Sequence, residues 1–318
     1  MSGPQAPPDD EEDEQEATAT VLLPPRLEGT LRLADGRDIG FAEYGAPDGR
    51  PVLWFHGTPG GRRQIPAAAR VAAAELGVRL VALERPGIGA STPHLYRSVL
   101  GWAEDVGELA DRLGFGSFAC IGLSGGGPYV LACAGLHPQR MAAGAVLGGV
   151  APARGVDAVS GGLVGGIAPL GPFVAAARLP LGLAVWGVMQ LLMPARSLVF
   201  DAYIGMSPEG DRRVFRRPEM REMFIDDIVR AGRRQLHAPV ADLVLFTRDW
   251  EFSLRDVQVP IRFWHGDADR IVPLAHAEHM AALVPDSALR VRHGESHLGS
   301  LDAAEEILTT LLECWPVE

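Results

Sequence analysis

The chain reads as an α/β protein built on a mainly parallel sheet, and three observations carry that reading. Short apolar runs bounded by Gly, Pro or charge recur along it. Longer stretches with helical periodicity separate those runs. The 318 residues, 47% hydrophobic and 22% charged, are enough for a large core. Strands that are apolar throughout belong to a sheet covered on both faces, and the intervening helices supply the crossovers that parallel strands need.

The N-terminus stands outside this pattern. "DDEEDEQE", Asp9 to Glu16, holds seven acids, and no base occurs before Arg26. With prolines and no aromatic residue, the segment lacks the apolar surface to offset the entropy of ordering it. Residues 1–26 are therefore expected to form a disordered acidic tail, which also accounts for most of the net charge of −11. So acidic a chain is a poor nucleic-acid binder. The segment lacks the basic start and apolar stretch of a signal peptide, and Cys120, Cys133 and Cys314 form an odd set without metal-ligand spacing. Reduced thiols in a cytoplasmic protein are expected.

From Glu28 to Gly45, two alternating runs flank an "ADGR" turn, the signature of a β-hairpin. Apolar strands follow at Pro51–His56, Val78–Leu83, Phe118–Leu123 and Met141–Gly148. Helical periodicity lies between them at Pro66–Leu76, Ser98–Leu113 and Pro128–His137. After Val150 the alternation stops for about a hundred residues. It resumes with a strand at Val259–Gly266, a helix at Leu274–Leu283, a strand at Ala288–His293 and a last helix from Leu298 to Glu313. The expected organisation is one α/β core, 27–150 with 258–318, carrying an insertion at 151–257.

That insertion is apolar in front and charged behind. From Gly161 to Ala195 the only charge is Arg178, whereas Asp211 to Arg234 is charged and helical. The charge-free stretches approach the ~20 residues of a membrane span, but Pro169, Pro172, Pro180 and several glycines interrupt them. A helical cap closing over a site accounts for the same residues, and peripheral membrane contact through it stays open.

Ser124 sits in Gly122-Leu123-Ser124-Gly125-Gly126, a G-x-S-x-G pattern that follows a strand and precedes a helix. Small neighbours let the chain reverse sharply there, which exposes the hydroxyl in front of a helix N-terminus. A serine nucleophile needs a base, and the base needs an orienting acid. Two late loops offer both. "WHGDADRIVP" carries Asp267 and Asp269, and "RHGESHLGS" carries His293 and His297. His276 and His279, three apart on a helix, lack a third metal ligand and read as a solvated face.

Together these motifs resemble the α/β-hydrolase fold with a serine nucleophile and a helical cap. The resemblance runs from about Leu27 to Trp315. "HGTPGG" (56–61) resembles the family's H-G-x-P-G oxyanion loop. "ERPGIGAST" (84–92) resembles D-R-P-G-x-G-x-S with Glu84 in place of Asp, "GLSGGG" the nucleophile elbow, and "GDADRIVP" and "GESHL" the acid and base loops. The resemblance implies Ser124 as nucleophile, His297 as base, Asp269 as orienting acid, and the backbone N–H groups of Thr58 and Gly125 as oxyanion donors. It leaves His56 and Gly57 as supports of the oxyanion loop. It implies no cofactor and no metal.

A serine at the elbow argues against epoxide hydrolases and haloalkane dehalogenases, which carry aspartate there. Prolyl aminopeptidases share the proline-containing loop but have H-G-G-P-G where Thr58 stands here. Such a peptidase also needs acids for the substrate's amino group. Glu219, Glu222, Asp226 and Asp227 are the possible ones, and in their Arg-rich helix they read as exposed ion pairs. The apolar cap favours a small hydrophobic ester or related acyl substrate, hydrolysed through an acyl-enzyme. The remaining alternatives are an amidase, a C–C bond hydrolase or an acyltransferase on the same triad, and a non-catalytic ligand receptor or membrane-surface protein.

Overall fold

The structure is a computed structural model describing residues 22–159 and 161–315. The acidic run of the expected tail lies outside the described residues. Of that tail, Leu22 packs against the core and Arg26 ion-pairs with Glu43.

Eight strands form one sheet in the order β1-β2-β4-β3-β5-β6-β7-β8. The hairpin is β1 (Leu27–Arg32) with β2 (Asp38–Gly45), antiparallel, and β2 joins β4 (Val78–Leu83) antiparallel. The other strands, β3 (Arg50–Phe55), β5 (Phe118–Leu123), β6 (Met141–Leu147), β7 (Ile261–Gly266) and β8 (Ser287–Arg292), run parallel to their neighbours. Each expected strand occurs within about two residues of its place.

Successive strand side chains point to opposite faces, and both faces are filled. Leu53 and Phe55 of β3 and Val81 and Leu83 of β4 enter one core, with α2 (Leu100–Arg112), α3 (Gly127–Leu136) and α11 (Ala275–Leu283) against it. Val52, Trp54, Leu80 and Ala82 enter the other, under α1 (Ala67–Glu75) and α12 (Ala304–Glu313). The last helix starts later than its sequence pattern, because Gly299–Ala303 forms a 3₁₀ turn first. The strand order turns back at β3, where β4 lies on one side and β5 on the other. The crevice beyond the carboxyl ends of such strands is where open α/β sheets place their ligands.

Between β6 and β7 lie seven helices: α4 (Gly162–Ile167), α5 (Gly171–Ala176), α6 (Arg178–Leu192), α7 (Arg196–Met206), α8 (Glu209–Arg216), α9 (Pro218–Ala231) and α10 (Ala238–Phe246). They are not a separate unit. Val214, Phe215, Met220 and Met223 of α8 and α9 join one sheet core, and Leu245 and Phe246 of α10 join the other.

Candidate active site

Ser124 directly follows β5 and opens the 3₁₀ turn Ser124–Gly126 that leads into α3. Its φ of 52° lies in the left-handed region, which a β-carbon disfavours by roughly 1–2 kcal/mol. The glycines around it are required by close approach. A Cβ on Gly122 would lie 2.5 Å from the Gly126 carbonyl oxygen, and one on Gly125 would lie 2.3 Å from Thr58 Oγ1. The second distance also shows that the serine turn and the loop after β3 face each other.

His297 stands in the loop after β8, with Nε2 2.8 Å from Ser124 Oγ. Its Nδ1 is 2.7 Å from Asp269 Oδ2, in the loop after β7. An Nδ1–H donating to the carboxylate leaves Nε2 as acceptor for the serine hydroxyl. Asp269 Oδ1 accepts the backbone N–H groups of Ile271 (2.8 Å) and Val272 (2.9 Å), which fixes its plane. His265 Nε2, 2.7 Å from the Val272 carbonyl oxygen and 3.2 Å from Asp269 Oδ2, adds a further contact. Burial alone would raise the Asp269 carboxyl, but the hydrogen bonds with His265 and His297 outweigh it and hold the group well below the usual carboxylate range. Asp269 is therefore an anion beside His297.

The other acid and histidine of these loops pair elsewhere. Exposed His293 meets Asp267 at 2.9 Å, so the structure brings together Ser124, Asp269 and His297 and leaves Asp267 and His293 outside. His276 departs from the solvated face its spacing suggests. It is buried, with Nδ1 accepting the Ala151 N–H, while His279 Nε2 donates to the Asp157 carbonyl oxygen. No group of three metal-ligating side chains occurs among the described residues.

The loop after β3 is braced from below. Buried His56 donates Nδ1–H to the Gly57 carbonyl oxygen at 2.7 Å and accepts the Arg85 N–H at Nε2. Burial, then the Arg85 charge, holds its pKa well below the ordinary histidine value, so it stays neutral. Gly57 N–H donates to Gln64 Oε1 at 2.6 Å. Thr58 Oγ1 donates to Asp242 Oδ2 at 2.6 Å.

Three buried cap aspartates, one on each of α8, α9 and α10, hold these loops. Asp242 on α10 pairs with buried Arg85 at 2.7 Å and accepts the Tyr129 hydroxyl at 2.6 Å. Arg85 donates in turn to the carbonyl oxygens of His56 and Gly57. Asp227 on α9 accepts the N–H groups of Gly61 (2.8 Å) and Arg63 (2.9 Å). Burial pushes its carboxyl up to about 7 despite those two bonds. Asp211 on α8 accepts the Leu298 N–H at 2.8 Å and the Ser296 hydroxyl at 3.2 Å, on either side of His297.

These aspartates, with Arg85 and Tyr129, were not anticipated from sequence. The expectation that Asp227 belongs to an exposed ion pair is corrected: it faces inward while Asp226, beside it, pairs with Arg63 and Arg230. In a helix without strict apolar periodicity, adjacent acids do not announce which one faces in. Asp242 did carry a signal, as the only charge in "APVADLVLF". Glu84, buried after β4, ion-pairs with Arg62 at 2.6 Å.

Above Ser124 and His297 lies a cavity of about 410 Å³. Its roof is mainly apolar, from Met189, Leu192, Met193, Val199 and Phe200 of the cap, with Arg196 and Tyr203 beside them. Of the apolar stretch Gly161–Ala195, only the end of α6 and the turn after it line this cavity.

A family model described as the α/β hydrolase fold matches residues 50–165, from β3 into α4 and through both the Thr58 and the Ser124 loops. A Thermogutta terrifontis esterase superposes with a TM-score of 0.64, covering 91% of this chain and 100% of that one at 21% identity. The chain has the α/β-hydrolase fold. It is 27% identical to a non-heme haloperoxidase of Rhodococcus erythropolis over 273 residues, 83% of this chain and 90% of that protein. It is 30% identical to a proline iminopeptidase of Arabidopsis thaliana over 136 residues. That match takes in 42% of this chain and only 35% of the iminopeptidase's length.

Proposed function

We propose that this α/β hydrolase is a serine hydrolase cleaving carboxylic esters of moderately hydrophobic small acids or alcohols. The observation that carries the reading is the continuous hydrogen-bonded chain Ser124–His297–Asp269 at the floor of an apolar cavity. Ser124 Oγ attacks the acyl carbonyl carbon as its proton passes to His297 Nε2, and the Asp269 anion stabilises the imidazolium. The carbonyl oxygen, now an oxyanion, is received by the backbone N–H groups of Thr58 and Gly125 at the start of the helical turn. The imidazolium protonates the departing alcohol, leaving an acyl-enzyme. Water, deprotonated by His297, then releases the acid and restores the serine.

An ester is favoured over an aminoacyl peptide for a specific reason. Among the four cap acids, Asp227 alone lines the cavity, and both of its oxygens already accept backbone N–H groups. The apolar roof instead selects by burial, at roughly 25 cal/mol per Å², and so tolerates a range of chain lengths.

Labelling with a fluorophosphonate and mass mapping tests the reading. Modification confined to Ser124 and abolished in His297→Ala is expected, and an unreactive Ser124 in folded protein refutes it. Assays on p-nitrophenyl esters of rising chain length beside prolyl arylamides separate the ester from the peptide reading.

A further inference from the structure

The cap helices α6 and α7 turn opposite sides to two environments. Inward, Trp186 Nε1 and Gln190 Nε2 both donate to the Gly232 carbonyl oxygen, and Met189, Met193 and Phe200 line the cavity over Ser124. Outward, large apolar side chains stand in solvent: Leu191 is 79% exposed, Leu198 72% and Met206 81%, with Leu179, Leu183 and Val188 each above half. Arg178–Met206 is apolar and long enough to cross a membrane by length and composition, and its most apolar window is not buried. Soluble monomers rarely leave so much contiguous apolar surface uncovered.

The charges around this face are unbalanced. On α8 and α9, Arg212, Arg213, Arg216, Arg217, Arg221 and Arg230 each have an acidic partner. Beside the apolar face, exposed Arg178, Arg196, Arg233 and Arg234 have none among the described residues. Arg233 and Arg234 directly follow Gly232, the residue to which α6 is tied. An apolar face rimmed by unpaired cations is complementary to an anionic lipid surface.

We propose that α6 and α7 form a docking face for an anionic lipid surface, lying on it rather than spanning it. Spanning is opposed by the inward hydrogen bonds and by Arg196 and the ion-paired Asp201 within the segment. A second copy of the chain fits less well, because a two-fold contact would set the same unpaired arginines against one another. Leu192, Val199 and Tyr203 both line the cavity and stand partly in solvent, so the apolar surface runs from the outside to Ser124. Resting on the ester-hydrolase reading above, this continuity makes the substrate an ester that partitions into the lipid and enters from it.

Flotation of the full chain with vesicles tests the proposal, using phosphatidylcholine alone or mixed with phosphatidylglycerol. The protein is expected to float with the anionic vesicles and much less with the neutral ones. Leu191→Glu with Leu198→Glu is expected to lower partitioning on the order of tenfold or more. Arg178→Gln and Arg234→Gln are each expected to lower it roughly fivefold, the equivalent of about 1 kcal/mol per cation at such a surface. None of these side chains lines the cavity, so turnover of a short water-soluble ester by the same samples is expected to stay at the wild-type level. Wild-type protein that floats with neither vesicle, equal flotation by the double glutamate variant, or a dimer in sedimentation that this variant dissociates would each overturn the proposal. Flotation as expected with no ester turnover upholds the docking face and rejects the hydrolase reading alone.

Discussion

Replacing Asp227 by asparagine should flatten part of the protein's stability against pH. The Asp227 carboxyl is pushed up to about 7 by burial, whereas an unfolded aspartate titrates near ~3.9. A group raised on folding favours the folded state fully below its unfolded pKa and loses that contribution as pH rises through the folded value. Each pH unit in that window is worth about 1.4 kcal/mol. Between about pH 5 and about pH 7 the wild type therefore loses on the order of 2 kcal/mol that a non-titrating amide does not. The amide has its own cost, about 1–3 kcal/mol, because its NH2 faces one of the two N–H groups that the carboxylate accepts. That cost is independent of pH. Urea unfolding of both proteins from about pH 5 to about pH 8 should show the wild-type advantage over Asp227→Asn shrinking by about 2–3 kcal/mol, other titrations cancelling. Parallel curves would refute the idea that burial of this carboxyl outweighs its two hydrogen bonds.

Other substitutions address the site directly. Asp269→Asn should lower kcat on the order of 10³–10⁴, since the amide no longer selects the Nδ1–H tautomer of His297, while fluorophosphonate labelling slows in parallel. His293→Ala should leave kcat/KM unchanged and shift unfolding by less than about 1 kcal/mol, because its pair with Asp267 is exposed. Asp242→Ala should cost about 3–5 kcal/mol in urea unfolding by leaving the Arg85 guanidinium buried without its partner. Ser124→Gly should abolish turnover and yet stabilise the fold by up to about 1 kcal/mol, relieving the left-handed backbone at the elbow.

The scaffold was readable from sequence because it rests on local patterns. β5 is apolar and buried throughout, and β4 is so except at Arg79, so these runs mark them out, and both match their expected bounds. The hairpin was visible through its turn. Ser124, Asp269 and His297 each lie in the turn or loop directly after a strand, with a glycine at or near the strand's end, and these short signals place them at the sheet's carboxyl edge. What sequence did not reveal comes from distance along the chain. Asp242 reaches Arg85 across 157 residues and Asp227 reaches Gly61 across 166, and neither contact leaves a local mark. The 3₁₀ turn after His297 is another such case, since Asp211, from a remote helix, holds the N–H of Leu298.

The three cap aspartates also constrain how this insertion could be exchanged. A cap from another protein of this fold, spliced between β6 and β7, would have to present an inward carboxylate at each of three anchor points. Without them the loops after β3, β4 and β8 would carry bare N–H groups, an unmatched guanidinium and an unsupported His297. Chimeras should therefore transfer specificity cleanly when the exchange is confined to α6 and α7, and lose the site's geometry when it extends through α8, α9 and α10.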